Sequence, residues 1–321
     1  MSLAVAIQMD PIEGVNIDAD STFVLALEAQ RRGHALYHYL PKNLTFRHGR
    51  LYARARPLTV RRVKGDHASL GAFEMLDLAT MDVVLMRQDP PFDMAYITAT
   101  HLLEHIHPRT LVVNDPVHVR NAPEKLYATH FASLMPPTII TSDREEIVAF
   151  RAEHKDIIVK PLFGNGGAGV FHIRADDENL NALLEMFTSL YREPIIVQRY
   201  LPEIREGDKR IILIDGEASG AVVRIPRTGE ARANFHAGGA ARKSDLTHRD
   251  LEICHGIGAS LRERGLLFVG IDVIGGFLTE INVTSPTGVQ EINRLNGVAL
   301  ETRIWDSIER AFAKGRQGRH V

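Results

Sequence analysis

Three oxygen-bearing side chains lie close together in the segment GIDVIGGFLTEINVTSPTG, residues 270–288. Asp272 falls in the first of its two apolar runs, whereas Glu280 and Asn282 fall in the second. Side chains two residues apart in a strand point to the same face, so Glu280 and Asn282 share one face. Oxygen ligands of this kind suit Mg²⁺, which proteins usually share with substrate phosphates. The segment therefore predicts a magnesium site on a β-hairpin, and a solvated polar face is the alternative.

The loop of this hairpin decides whether Asp272 reaches the other two side chains. A two-residue turn at 275–276 sets Asp272 opposite Thr279 and leaves it on the other face from Glu280. A three-residue loop over 275–277 sets Asp272 directly across from Glu280. The metal-site interpretation therefore predicts the three-residue loop.

Glycines fill the segment PLFGNGGAG, residues 161–169, which follows the apolar run IIVK and its terminal Lys160. A backbone without side chains can approach an anion closely and turn several N–H groups toward it. The segment is not a Walker A loop, because its lysine precedes the glycines at the end of a strand. It predicts a hairpin whose tip binds phosphate, and a plain flexible turn is the alternative.

A second polar segment, residues 218–242, is rich in cations. It contains four arginines, one histidine, one acid and three glycines that could act as hinges: Arg224, Arg227, Arg232, Arg242, His236, Glu230, Gly229, Gly238 and Gly239. Such a loop could close over an anionic substrate and exclude water; a solvated surface loop is the alternative. Arg210 begins a predicted strand and should be held more rigidly, and Asp208 could accept a ribose hydroxyl.

The composition excludes several classes of protein. The chain has 321 residues, with 38 Lys and Arg against 40 Asp and Glu, so its net charge of −2 gives no overall field for nucleic acid or an anionic membrane. The single cysteine, Cys254, cannot form an internal disulfide, and the N-terminus lacks the pattern of a signal peptide. No apolar run approaches about 18 residues. These features predict a cytoplasmic protein that binds neither nucleic acid nor membrane.

Nucleophilic and zinc-dependent catalysis are also disfavoured. No G-x-S-x-G motif is present, and the 15 histidines do not fall beside cysteine or paired carboxylates at zinc-like spacing. Cys254 lies in an amphipathic pattern, which is typical of a buried structural thiol.

The elements that must position these residues change character along the chain. The opening predicts a β-α-β unit with a strand over 3–9, a helix over 20–32 and a strand over 35–40. Apolar runs at 83–86 and 111–113 each end at a polar, proline-containing cluster. Open α/β sheets bind ligands beyond the carboxyl ends of their strands, although ordinary turn chemistry is the alternative for each cluster.

Beyond residue 120 the pattern predicts an α+β region. We expect a helix over 122–134, a hairpin of 157–160 with 170–174, a helix over 180–191 and a strand over 195–198. Hairpins of 210–214 with 221–224 and of 268–274 with 279–283 follow, with a helix over 250–264 between them and a C-terminal helix at the end.

Six motifs, taken in order, resemble those of the ATP-grasp ligases. They are EKL at 124–126, IIVKP at 157–161 with its glycine loop, QRYLP at 198–202, GDKR at 207–210, RIP at 224–226 and TEINVTSPTG at 279–288. The N-terminal segment 9–33 and MRQDPPFD at 86–93 resemble more closely the bacterial glutathione synthetases. The resemblance covers nearly the whole chain.

The resemblance implies a fold of mixed α/β and α+β class. An N-terminal open parallel α/β domain, residues 1–120, would precede an ATP-grasp fold made of a lid, 121–200, and an antiparallel ATP-binding sheet in a catalytic domain, 201–321. It also implies a homo-oligomer, with a tetramer expected from the family.

The resemblance further implies roles for individual residues. The nucleotide would meet Lys125, Lys160, Gly164, Gly166, Gly167, Gln198, Tyr200, Leu201 and Asp208. The magnesium ligands would be Asp272, Glu280 and Asn282, and the cations near the reacting groups would be Arg210 and Arg224. The charged ends of a peptide substrate would meet Arg87, Asp89, Ser285, Pro286, Thr287 and Gly288. The glycine loop departs from some relatives, which carry an acidic residue and a methionine there, so only its backbone role carries over.

The implied reaction uses ATP and Mg²⁺, or Mn²⁺, to turn a carboxylate of γ-glutamylcysteine into an acyl phosphate, from which glycine's amine displaces phosphate to give glutathione. Positioning and charge neutralisation supply most of the catalysis of such phosphoryl transfers. Two alternatives stay open. Another carboxylate–amine ligase would share the metal site, and a nucleotide-binding regulator would have lost catalysis. The oxygen-bearing side chains at 272, 280 and 282 disfavour the regulator.

Overall fold

A computed structural model describes residues 2–164, 166–227, 232–233 and 239–317. Within these residues the strands form three sheets, one in each of the ranges 1–120, 121–200 and 201–321. The domain limits themselves remain a prediction. No helix among the described residues is both long and apolar enough to cross a membrane.

The first sheet has a parallel centre. Its elements are β1 (Ala4–Gln8), α1 (Ser21–Arg31), β2 (Ala35–Tyr39), β3 (Leu44–Arg47), β4 (Arg50–Val60), β5 (Ala68–Leu70), β6 (Glu74–Asp77), β7 (Val83–Met86), α2 (Met94–Glu104), β8 (Leu111–Val113) and α3 (Pro116–Arg120). The strand order is β3-β4-β2-β1-β7-β8, with β5 and β6 also paired to β4. Strands β2, β1, β7 and β8 are parallel, as the opening β-α-β unit predicts. The antiparallel strands β3 to β6 were not predicted.

The second sheet is antiparallel and belongs to the predicted lid. Its elements are α4 (Glu124–Ala128), β9 (Thr138–Thr141), α5 (Arg144–His154), β10 (Ile157–Pro161), β11 (Phe171–Ile173), α6 (Leu180–Leu190) and β12 (Ile195–Arg199), with the strand order β11-β10-β12-β9. One face, which includes Ile157, Val159 and Val197, forms a separate core with α5 and α6. The alternate residues Ile158, Lys160 and Gln198 line a cleft.

The third sheet carries the predicted metal hairpin. Its elements are β13 (Asp208–Ile214), β14 (Glu217–Ile225), β15 (Ala240–Lys243), α7 (His248–Glu263), β16 (Phe268–Ile274), β17 (Phe277–Asn282), α8 (Val289–Asn296) and α9 (Leu300–Gln317). The strand order is β15-β14-β13-β16-β17, and every pairing is antiparallel. The predicted C-terminal helix is two helices, because the chain turns at Gly297, whose φ is 67°.

The prediction of a three-residue hairpin loop was wrong. Ile274 pairs with Phe277 across a two-residue turn, and the register then shifts so that Asp272 pairs with Glu280. Thr279 is the extra residue of a β-bulge, and its hydroxyl donates to the Asp272 carbonyl at 3.1 Å. The bulge, rather than the loop, therefore brings the two carboxylates to one face.

Hydrogen bonds of Asn114 and Arg32 connect the part of the chain that forms the first sheet to the part that forms the third. Asn114, at the end of β8, donates to the carbonyls of Phe268 and Val283 at 2.8 and 2.9 Å and accepts from the Phe268 amide at 2.9 Å. Arg32, at the end of α1, donates to Asp306 of α9 at 2.8 Å. Because the hydrophobic cores run from one sheet into the other, the carboxyl edge of the parallel strands is held against the metal hairpin.

Candidate active site

A row of charged side chains crosses three neighbouring strands of the third sheet. Arg210 of β13 pairs in register with Asp272 of β16, which pairs with Glu280 of β17. Paired residues of antiparallel strands point to the same face. Sequence spacing suggested Asp272 and Glu280 as candidates but did not fix whether they face each other, and the strand order adds Arg210.

Two buried arginines hold the Asp272 carboxylate. Arg210 Nε and Nη2 donate to its two oxygens at 2.6 and 3.2 Å, and Arg224 Nη2 lies 3.0 Å from Oδ1. Burial acts to raise the pKa of Asp272, but the two guanidinium groups outweigh it and hold that pKa well below its usual range. Asn282 Nδ2 lies 3.5 Å from Asp272 Oδ2, so the amide also faces this cluster.

Two lysines converge on the Glu280 carboxylate from different elements. Lys125 of α4 and Lys160 of β10 place their Nζ atoms 3.7 and 3.8 Å from Glu280 Oε1. Burial lowers the pKa of Lys160, while Glu280 acts in the opposite direction. Lys125 also donates to the carbonyl of Gly164 in the glycine loop. Thus α4, the strand β10 and the metal hairpin meet at the Glu280 carboxylate.

Glu124 is a residue of this cluster to which the sequence assigned no role. Its Oε1 accepts a hydrogen bond from Thr284 at 3.0 Å. Burial, followed by the negative charge of Glu280, raises the pKa of Glu124 to about 7. Its place in the EKL motif beside Lys125 was the available signal, but only the fold shows that Glu280 is near.

Asp208 pairs with Arg224 rather than standing alone at the cleft. Arg224 Nη2 donates to Asp208 Oδ2, and Asp208 Oδ1 is buried without a hydrogen-bond partner in the structure. Burial raises the pKa of Asp208 to about 7, although the neighbouring Arg224 opposes this shift. The ribose contact predicted for Asp208 stays a prediction.

One cleft gathers the residues predicted to contact the nucleotide. It encloses about 870 Å³, counting its open mouth, and its lining includes Lys125, Lys160, Gly164, Gly166, Gly167, Gln198, Tyr200, Leu201, Asp208, Asp272 and Glu280. Asn165 of the glycine loop lies outside the described residues. Among these residues, Gln198 lies in β12, and Tyr200 and Leu201 follow that strand.

The predicted peptide-binding residues lie where the two sheets meet. Arg87 follows β7 and donates to the Thr22 hydroxyl at 3.0 Å and to the Pro286 carbonyl at 3.1 Å. Ser285 donates to the Arg87 carbonyl at 2.7 Å. The Thr287 carbonyl accepts from Arg210 at 3.2 Å, which links this loop to the row of charges.

Three further features of this region bear on its chemistry. Gly288, with φ 108°, precedes α8 in a conformation that favours glycine. The backbone N–H of Asp89, two residues beyond Arg87, donates to Asp10 at 2.8 Å. Arg87 is only 6% exposed and, within the described residues, forms no ion pair.

The cationic segment is described only in part. The described residues leave out 228–231 and 234–238, and therefore Gly229, Glu230, His236 and Gly238. Arg232 and Ala233 line the cleft, and Arg232 Nη1 lies 3.4 Å from the Gly167 carbonyl. Arg232 therefore approaches the glycine loop, whereas Arg224 is buried in β14 and Arg242 lies in β15.

The family comparisons agree over most of the chain. A family model of the N-terminal domain of prokaryotic glutathione synthetase matches residues 3–120, and a model of its ATP-grasp domain matches residues 124–297. The glutathione synthetase of Mesorhizobium japonicum is 60% identical over 309 residues, which cover 96% of this chain and 99% of that protein. That of Salmonella typhimurium is 42% identical over 314 residues, with 97% and 100% covered.

Solved structures share the fold at much lower identity. The crystal structure of the D-cycloserine synthetase DcsG matches with a TM-score of 0.67 and 16% identity, over 96% of this chain and 100% of that one. The ATP-grasp ligase PsnB, complexed with a precursor variant, Mg and ADP, matches with a TM-score of 0.62 and 18% identity, over 97% and 99%. These matches establish the ATP-grasp fold. From its domains and its relatives together, the chain belongs to the prokaryotic glutathione synthetase family and is an ATP-dependent carboxylate–amine ligase.

Proposed function

We propose that this chain joins γ-glutamylcysteine to glycine in two steps driven by ATP. Membership of the family supports this activity. The observation that carries the residue roles is the convergence of Lys125, Lys160 and Glu280 with the glycine loop at one cleft. Cations from two elements beside a carboxylate suit a triphosphate that arrives with a divalent metal.

The nucleotide would lie along this cleft. Its phosphates would replace Glu280 as the partners of Lys125 and Lys160, and the backbone of Gly164, Gly166 and Gly167 would approach them closely. The base would lie at the other end against Gln198, Tyr200 and Leu201, with the ribose toward Asp208. The proximity of all these side chains to one cleft supports the assignment.

The donor set fits a divalent metal that prefers oxygen. Asp272, Glu280 and Asn282 offer two carboxylates and an amide on adjacent strands. Within the described residues, no three His, Cys, Asp or Glu side chains are grouped so that they could hold a metal ion. In the proposed site, phosphate oxygens would supply the remaining ligands. When bound, Mg²⁺, or Mn²⁺ in its place, would neutralise charge on the transferring phosphoryl group.

The remaining charged residues would act on the acyl group. In the first step a carboxylate oxygen of γ-glutamylcysteine attacks the γ-phosphorus, the bond to the bridging oxygen breaks, and ADP leaves. In the second step glycine's nitrogen attacks the acyl carbon, phosphate leaves and the amine gives up a proton. Arg210 and Arg224 would stabilise negative charge near these centres, and the cationic segment that includes Arg232 would shield the acyl phosphate from water.

Arg87 would bind a carboxylate of the peptide substrate, with Asp89 and residues 285–288 (Ser285, Pro286, Thr287 and Gly288) nearby. A buried guanidinium without a carboxylate partner is unfavourable in a resting protein, because burial removes its hydration. Burial accordingly lowers the pKa of Arg87. A substrate carboxylate would supply the missing counter-charge, and this supports the assignment.

A panel of acceptor and donor pairs tests the proposal. Phosphate release from ATP should require γ-glutamylcysteine and glycine together. Release with pairs of D-alanine would instead indicate a different ligase of the same fold, and nucleotide binding without any release would indicate a regulator. A cytoplasmic setting and a tetrameric assembly remain proposals, the second testable by light scattering.

A further inference from the structure

An aromatic pair in the lid lies beside the base end of the cleft. His172 of β11 and Tyr200, which follows β12, stack with ring centroids 3.9 Å apart and an interplanar angle of 15°. Tyr200 lines the cleft, whereas His172 is not among the residues that line it. The imidazole therefore covers one face of the tyrosine ring, and the rest of that ring remains available to contact a ligand.

The sheet register explains why these two rings meet. Ile158 of β10 pairs with His172 on one side and with Gln198 on the other, so these three side chains share the face that is turned away from the lid core. Tyr200 lies two residues beyond Gln198. Its ring therefore reaches across the start of β10 to the histidine.

Asp156 ties the pair to the sheet through three separate contacts. Its Oδ2 accepts from His172 Nε2 at 3.2 Å, its Oδ1 accepts from the Ala175 amide at 3.0 Å, and its carbonyl accepts from the Tyr200 amide at 2.9 Å. One residue thus fixes the histidine ring, the end of β11 and the backbone of the tyrosine.

We propose that His172 and Asp156 are positioning residues for nucleotide binding, which hold the Tyr200 ring in place against the base. A ring that is already ordered loses less conformational entropy when the ligand binds. The effect should fall on affinity for the base, because Lys160, beside which the phosphates would lie, is two residues along β10 from Ile158, the residue that pairs with Gln198. This inference rests on the nucleotide site proposed above.

The test compares ATP with tripolyphosphate, which has three phosphates but neither the ribose nor the base. In His172→Ala, the KM for ATP should rise about 2- to 12-fold, the range given by the usual strength of an aromatic pair. The kcat and the inhibition constant of tripolyphosphate, a competitor without a base, should stay within about twofold. His172→Phe should restore most of the ATP affinity, because it keeps the stacked ring.

A double-variant cycle tests whether His172 acts through Tyr200. Once Tyr200→Ala has removed the ring, adding His172→Ala should raise the KM for ATP no further. Independent, multiplying effects of the two substitutions would overturn the proposal. So would an equal weakening of tripolyphosphate binding in His172→Ala, because that result indicates a general loss of cleft structure.

His154→Ala is the matched control within the lid. The His154 ring also packs against an aromatic residue, Phe150, at 4.3 Å, but it belongs to α5. Its substitution should leave the KM for ATP unchanged, and an increase equal to that of His172→Ala would contradict the proposal. If ATP and tripolyphosphate do not compete in the unaltered protein, the nucleotide site itself is wrong, and this result is distinct from a failure of the positioning role.

Discussion

Asp272 lies directly across from Glu280 in the hairpin of β16 and β17, although the turn that joins these strands has only two residues. Thr279 is inserted between the paired positions, and its hydroxyl bonds to the Asp272 carbonyl. A bulge changes which residues face each other without lengthening the turn. Two lysines, one from α4 and one from β10, lie beside the Glu280 carboxylate of this pair.

Replacement of Glu280 by Gln should disable turnover and leave the fold intact. The amide keeps the size of the side chain but removes the charge that faces Lys125 and Lys160. We expect kcat to fall on the order of 100-fold, as when a catalytic charge-stabilising group is lost, and the half-saturating Mg²⁺ concentration to rise. Glu263→Gln, on the exposed surface of α7, is the control. Unaltered kinetics in Glu280→Gln would exclude the assigned role.

Replacement of Lys160 by Met should weaken nucleotide binding. The side chain is 9% exposed, so its charge interacts with little screening by water. Loss of one charged hydrogen bond to phosphate corresponds to an increase of roughly 10- to 100-fold in the dissociation constant for ATP, measurable by calorimetry. Lys64→Met, at an exposed position, should bind ATP normally. Normal binding by Lys160→Met would show that the phosphates lie elsewhere.

Replacement of Arg87 by Met tests whether this residue serves substrate binding or the stability of the fold. The variant removes a buried charge that has no ion pair among the described residues but leaves the Thr22 hydroxyl and the Pro286 carbonyl without a donor, so the free energy of unfolding in urea should change little. The KM for γ-glutamylcysteine should rise roughly 10- to 100-fold, and the KM for ATP should not change. A large loss of stability with an unchanged KM for the peptide would assign Arg87 to the fold instead.

Replacement of Asn114 by Ala should destabilise the junction of the first and third sheets. The side chain makes three buried hydrogen bonds to the ends of β16 and β17. Leaving their backbone partners unsatisfied should lower the free energy of unfolding by about 3 kcal/mol. Asn121→Ala, at an exposed position, provides the comparison in the same urea titration. Equal stability of the two variants would contradict the role given to Asn114.

His34 should contribute a loss of stability in mild acid, opposite in sign to the contributions of Glu124 and Asp208, whose raised pKa values favour proton uptake by the folded chain. Its Nδ1 accepts from the Leu3 amide at 3.3 Å and its Nε2 faces Glu309 at 3.1 Å, an arrangement that suits the neutral ring. Burial lowers the pKa of His34, and Glu309 opposes this shift. Between the unfolded pKa of about 6.5 and the lower folded pKa, the unfolded chain binds more protons. The contribution of His34 to the free energy of unfolding should therefore decrease as the pH falls below about 6.5.

The contribution of His34 can be isolated with His34→Gln, which cannot take up a proton. The difference in unfolding free energy between the original protein and this variant should change with pH only below about 6.5, by at most about 1.4 kcal/mol per pH unit. A difference that is independent of pH would contradict the assignment.

Most of the elements that position the site follow from local patterns. The strands β7 and β8 have the predicted bounds, because apolar residues end abruptly at polar and proline residues. The strand β4 was missed even though Leu51, Ala53 and Ala55 are buried in strict alternation with more exposed residues. That alternation was a usable signal for an antiparallel strand.

The identity of the chemical groups can be read from local sequence motifs, whereas their arrangement in space depends on the fold. Asp272, Glu280, Asn282, Lys160 and the glycines are visible as motifs, because each lies within a short segment whose periodicity is local. Three features depend on residues that the chain brings together over long distances: the pKa of Glu124, the burial of Arg87 with no ion pair to any residue that the structure describes, and the stack of His172 on Tyr200.

Thus the sequence determined the family, the reaction type and the side chains that carry charge. Tertiary structure alone decided which of those charges face one another, because a bulge sets the hairpin register and sheet packing sets the burial. Electrostatic interactions depend steeply on distance and on exclusion of water, and neither quantity can be read from spacing along the chain.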